Sequence, residues 1–199
     1  MRLPEIHPAR IAGKWRQGYV LDYHTVSSEF MGYDEFDHPR FHTVRTELGE
    51  LLYRLKYCSD RTALEPIVHV VTKFLRTWKP QVDSVVPTPP SRTRRLFQPV
   101  VEICKSVCQR LELALITRAL TKTTQTPEIK EKHDRKEKSR LLAGAFAANA
   151  NVLKERSILL IDDLYDSSST LNAITQTLYS QGKVAAVFVL VLTRTRSLP

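Results

Sequence analysis

From Ile158 to Thr170 the chain reads Ile-Leu-Leu-Ile-Asp-Asp-Leu-Tyr-Asp-Ser-Ser-Ser-Thr, its densest run of groups able to do chemistry. Asp162 and Asp163 are adjacent carboxylates, acceptors for sugar hydroxyls and hard oxygen ligands for a divalent cation. Four hydroxyls follow at Ser167, Ser168, Ser169 and Thr170, just before an apolar pattern at Leu171, Ile174 and Leu178 with helical spacing. A hydroxyl-rich turn entering a helix turns backbone N–H groups and side-chain donors toward an anion such as phosphate. Ile158 to Ile161 is a short aliphatic run, the length and composition of a strand buried on both faces of a parallel sheet. Ligands of an open parallel sheet bind beyond the carboxyl ends of its strands. The stretch therefore predicts a strand over Ser157–Asp162 ending at the acid pair, then a loop, then a helix over Thr170–Ser180. Its chemistry suits a sugar phosphate: the acids take ribose hydroxyls or a metal, and the loop takes the phosphate.

At these residues the chain resembles the type I phosphoribosyltransferases. Their signature is four hydrophobic residues, two acids, two mostly hydrophobic residues and a Thr/Ser/Gly-rich loop ending in Thr. Ile158 to Thr170 fills it, with Ser168 standing where the family has a loop glycine. Further stretches are similar to a ComF-like amidophosphoribosyltransferase branch: Leu55-Lys56-Tyr57 with Ser59-Asp60, Val86-Pro87-Thr88-Pro89 followed by Arg94, Arg95 and Phe97, Thr123-Thr-Gln125, the basic run through Arg135 and Arg140, and Gly144-Ala-Phe146. The four-cysteine zinc ribbon with which many relatives begin is absent from this sequence.

The resemblance implies an open, mainly parallel α/β sheet flanked by helices, with a small N-terminal β/α cap. It implies transfer of the 5-phosphoribosyl group from 5-phosphoribosyl-1-pyrophosphate (PRPP) to a base or amine, with release of pyrophosphate. Asp162 and Asp163 would act on the ribose, and on Mg²⁺ through water or the ribose hydroxyls. Asp166 would take a proton from a purine acceptor, Ser167 to Thr170 would hold the 5′-phosphate, and Arg94, Arg95 and Lys56 would hold the pyrophosphate. Arg135 and Arg140 would lie in a loop that closes over the reaction. The resemblance leaves a homodimer open and does not name the acceptor.

Composition sets the outer bounds. The chain has 199 residues, 42% of them hydrophobic and 26% charged, ordinary for a globular protein with one real core. No run approaches the ~20 apolar residues of a membrane span, and the first residues lack the apolar core of a signal peptide. Three cysteines, Cys58, Cys104 and Cys108, fit free thiols in a reducing cytoplasm. A net charge of +9 suits a polyanionic partner, either a phosphorylated small molecule or nucleic acid. Three function classes follow: a PRPP-dependent transferase, a non-catalytic nucleotide or PRPP-binding regulator, and a DNA-uptake-associated protein. The basic residues sit where phosphate loops are expected and no nucleic-acid motif occurs, which favours the first.

The elements that must position these residues follow from periodicity. Leu48, Leu51, Leu52 and Leu55 mark an amphipathic helix from Thr46, and a second helix covers about 64–78. Asp83–Val86 is a strand, 99–111 a helix and Val184–Leu192 a last strand. Before them, 14–23 and 30–33 read as two antiparallel strands and 34–42 as a polar loop. Tyr23, Phe30 or Tyr33 could stack on a base, but hairpin aromatics are more often core. The expected division is a cap over 1–82, made of a hairpin and two helices, and a phosphoribosyltransferase core over 83–199.

Overall fold

The structure is a computed structural model, described here for residues 3–90, 97–123, 142 and 144–196. Its strands are β1 (Ala9–Arg10), β2 (Gln17–Tyr23), β3 (Thr25–Tyr33), β4 (Pro39–Arg45), β5 (Ser84–Pro87), β6 (Ala114–Leu115), β7 (Leu120–Lys122), β8 (Phe146–Ala148), β9 (Ser157–Tyr165) and β10 (Ala186–Arg194). Its longer helices are α1 (Glu47–Tyr57), α2 (Leu64–Trp78), α3 (Pro99–Leu111) and α4 (Ser168–Ser180).

Six strands form the central sheet in the order β1-β2-β10-β9-β5-β6. All neighbours pair in parallel except the edge strand β1, which runs antiparallel to β2. Both faces are covered, which is why the central strands read as unbroken aliphatic runs rather than alternating ones. Strand periodicity sends Leu159 and Ile161 to one face, where they join Leu48 and Leu55 of α1, Ile67 of α2 and Ile103 of α3. It sends Ile158 and Leu160 to the other, against Leu171, Ile174 and Leu178 of α4 and Phe146 of β8. This is the expected mainly parallel α/β sheet flanked by helices.

Two local expectations change. Gln17–Tyr23 does not pair with the segment after it. It lies inside the main sheet, parallel to β10, with Val20 and Leu21 fully buried. The hairpin is β3 with β4, so 39–42, the second half of the expected 34–42 loop, belongs to a strand that runs on to Arg45. The second change concerns β9, which runs on to Tyr165 instead of stopping at Asp162. Its partner β10 supplies Thr193 and Arg194 opposite Leu164 and Tyr165, and this continued ladder carries the acid pair inside the strand. Cys104 and Cys108 are buried on α3 and Cys58 is exposed, all as free thiols.

Candidate active site

The carboxyl ends of β2, β5, β9 and β10 meet along one edge of the sheet, and Lys56, Asp162, Asp163 and Asp166, singled out from the sequence, stand at it. Neighbouring residues of a strand point to opposite faces, and Asp162 and Asp163 have different side-chain partners. Asp162 Oδ1 accepts a hydrogen bond from Thr88 Oγ1, just beyond β5, at 2.7 Å, and another from the Asp163 N–H at 3.0 Å. Asp163 Oδ2 lies 2.6 Å from Lys56 Nζ, which reaches it from the last turn of α1. These contacts join residues 56, 88, 162 and 163 into one cluster.

The cluster is held from both sides. Thr46 caps α1 by accepting the Gly49 N–H at 3.0 Å while donating to the Tyr23 carbonyl at 2.7 Å. That double bond seats the helix on the end of β2. Thr193 Oγ1 of β10 donates to the Asp163 carbonyl at 3.0 Å and fixes β9 at the acids. Asp166 accepts from Thr195 Oγ1 at 3.1 Å, tying the turn after β9 to the segment after β10.

Electrostatics separates the two acids. Burial of its carboxyl first, and the charge of Asp163 second, push Asp162 up to about 7, while its hydrogen bonds from Thr88 and the Asp163 N–H pull the other way. For Lys56, burial would lower the ammonium, but the charge and hydrogen bond of Asp163 outweigh it and hold the lysine above its usual range. One acid is thus poised near neutrality and the other is tied to a permanent cation.

Ser167 stands at the N-cap of α4, and Ser168, Ser169 and Thr170 form its first turn. The Ser167 side chain makes no capping hydrogen bond, and the four hydroxyls stand with the first N–H groups at the helix's positive pole. Ser168, in the position of the family's glycine, begins a regular helix and is not among the residues with positive φ. The angle that would require glycine does not arise at this position.

Four expected site residues, Arg94, Arg95, Arg135 and Arg140, lie outside the described residues. Among those described, no three His, Cys, Asp or Glu side chains form a metal cage. Three site groups escaped sequence reasoning: His24, Thr88 as an acid partner, and Thr193. The linear sequence carries no signal for His24 or Thr193, since only the parallel pairing of β2 with β10 brings them to the acids. Phe30 and Tyr33 are exposed on the hairpin, not core, with ring centroids 5.2 Å apart. Tyr23 lies under the guanidinium groups of Arg194 and Arg196, at 4.1 and 4.6 Å from its ring centroid.

No protein-family model and no curated protein sequence matches the chain. Solved structures do. Adenine phosphoribosyltransferase from Leishmania tarentolae is 11% identical, with 94% of each chain covered and a TM-score of 0.50. The Saccharomyces cerevisiae enzyme, solved with an imino-altritol bisphosphate and adenine, is 10% identical over 84% of this chain and 85% of its own, with a TM-score of 0.46. The chain spans only 26% of the length of glutamine PRPP amidotransferase from B. subtilis (11% identity, 65% of this chain, TM-score 0.46), and the same share of the allosteric regulatory enzyme of purine biosynthesis. The Leishmania match extends along nearly the whole of both chains. The chain has the fold of the type I phosphoribosyltransferases.

Proposed function

We propose that this protein transfers the 5-phosphoribosyl group of PRPP to a nitrogen acceptor with loss of pyrophosphate, in the manner of the ComF-like branch its sequence resembles. One observation carries the reading. Two carboxylates with different partners stand at the carboxyl edge of a parallel sheet, beside a helix start carrying four hydroxyls. That arrangement matches a donor with two ribose hydroxyls and a 5′-phosphate.

Each residue then has a task. Asp162 and Asp163 accept the ribose hydroxyls, and their charge stabilises the positive charge that grows on the ribose as the C1–O bond lengthens. Ser167 to Thr170 receive the 5′-phosphate through hydroxyls and N–H groups. Lys56 stands beside Asp163 as a cation for the pyrophosphate, joined in this reading by Arg94 and Arg95, with Arg135 and Arg140 covering the reaction. Magnesium fits this chemistry as a substrate-borne ion. The acids offer hard oxygens, but Asp163 already carries an ammonium and no third ligand stands by among the described residues, so the acids would hold the ion through water or the ribose hydroxyls. When bound, it neutralises charge on the leaving pyrophosphate.

The test is labelled PRPP offered with a panel of purines, pyrimidines and amines, following pyrophosphate release. Asp162→Asn with Asp163→Asn should leave a folded protein that no longer turns over PRPP. Unchanged turnover in the folded double variant would remove the assignment.

A further inference from the structure

His24 follows β2 directly and is half-buried at the site edge. Its backbone is fixed twice: the N–H donates to the Arg194 carbonyl at 2.7 Å, and the carbonyl accepts from the Thr46 N–H at 3.3 Å. Its ring is fixed as well, and the proton on it can be assigned by counting. Nδ1 lies 3.1 Å from Thr193 Oγ1. That hydroxyl has one proton and donates it to the Asp163 carbonyl, an atom that can only accept. Thr193 Oγ1 must therefore accept from His24 Nδ1–H. In the neutral imidazole Nε2 then carries the lone pair, and among the described residues it has no hydrogen-bond partner.

The surroundings favour the neutral form. The charged groups acting on the ring are Arg45 from β4, Lys56 and Glu50 from α1, and Asp163 from β9. Burial first, then Arg45 and Lys56, lower its pKa below the usual histidine range against the opposing pull of Asp163 and Glu50.

We propose that His24 Nε2, rather than Asp166, takes the proton of the acceptor nitrogen; this rests on the transferase reading above. As that nitrogen bonds to C1 of PRPP, the C1–O bond breaks and its electron pair leaves with pyrophosphate. The N–H proton passes to Nε2, and the imidazolium then releases it to water, helped by the nearby cations that disfavour its charge. The acceptor class is an uncharged nitrogen nucleophile bearing at least one N–H. Asp166 is exposed and its Oδ1 is engaged by Thr195, which suits an anchor for the turn.

The test uses His24→Asn, whose amide can still donate to Thr193 Oγ1 but offers no group at the Nε2 position. The probes are PRPP with adenine, hypoxanthine, uracil and ammonia, and the assay continues with whichever gives the fastest pyrophosphate release in the unaltered protein. The expected result is a fall in kcat of about 10²-fold or more, an affinity for PRPP within about twofold of the original, and partial recovery on adding imidazole. Thr193→Val, which frees the tautomer, should lower kcat less and leave PRPP affinity in place. Asp166→Asn should keep kcat within a few-fold. A His24→Asn protein with full kcat overturns the inference and leaves the transferase reading standing. Equal loss of PRPP binding and turnover in that variant, or no rescue, makes His24 structural and also overturns it. An unaltered protein that neither binds nor consumes PRPP overturns both.

Discussion

At the residue scale the site is a contrast between two neighbouring carboxylates. Asp163 is ion-paired with Lys56, whereas Asp162 faces hydrogen-bond donors and makes no ion pair among the described residues. Burial raises Asp162 to about 7 from the ordinary aspartate value of about 3.9, so the folded state binds this proton more tightly than the unfolded chain does. The stability it contributes is therefore greatest at low pH, declines as pH climbs between those two values, and levels off above the upper one. Asn has no such decline. Asp162→Asn should accordingly raise the melting temperature relative to the original protein more at pH 8 than at pH 5. Thermal unfolding at both pH values checks this, and an equal difference at both would contradict it. Because the ionised form is the better acceptor for ribose hydroxyls, kcat/KM for PRPP should rise with pH through about 7.

At the element scale, α1 and α4 carry the site. Lys56 reaches Asp163 only because α1 starts hard against the end of β2. Gly49 permits that seating: a Cβ there would come within 2.0 Å of the His24 carbonyl oxygen. Gly49→Ala should force the helix off its seat at a cost of ~1–3 kcal/mol and reduce PRPP turnover by moving Lys56. A urea titration and a turnover assay check both effects, and an alanine variant of unchanged stability would show that the contact gives way cheaply. For α4, Ser168 already has helical backbone, so introducing the glycine of the phosphoribosyltransferase signature relieves no strain. Ser168→Gly should cost no more than about 1 kcal/mol and leave PRPP affinity within a few-fold in calorimetry. Tenfold tighter binding would mean that the serine side chain obstructs the phosphate.

At the scale of the whole molecule, the sheet collects groups from distant parts of the chain while a hairpin extends from the same edge. β3 begins two residues after β2 ends, so the ribbon leaves the sheet on the site side, exposing Phe30, Met31, Tyr33, Phe36 and Phe41. The overall +9 charge suits a donor carrying several phosphates. Attraction of that kind is screened by salt, and under the proposed function a substrate-borne magnesium would link the donor to the acid pair. PRPP affinity should thus fall when magnesium is chelated and fall again as ionic strength rises. Calorimetric titration giving one affinity with and without chelator would sink the metal assignment.

The sequence alone determined the central strand, the acid pair, the hydroxyl-rich helix start and the amphipathic helices, because each is written in contiguous residues with one period. It also carried Lys56, through the resemblance around Leu55–Tyr57. Only the tertiary structure decided that Gln17–Tyr23 enters the main sheet, since aromatic and β-branched residues suit a hairpin and a parallel strand alike. That pairing in turn carries His24 to Thr193 and the acids, a contact 169 residues apart in the chain. The end of β9 was likewise not local. Polar residues at 162 and 163 look like a strand's end, yet the ladder continues because β10 is long enough to supply partners. Short-range chemistry fixes which groups exist, and long-range hydrogen-bond pairing fixes which of them meet.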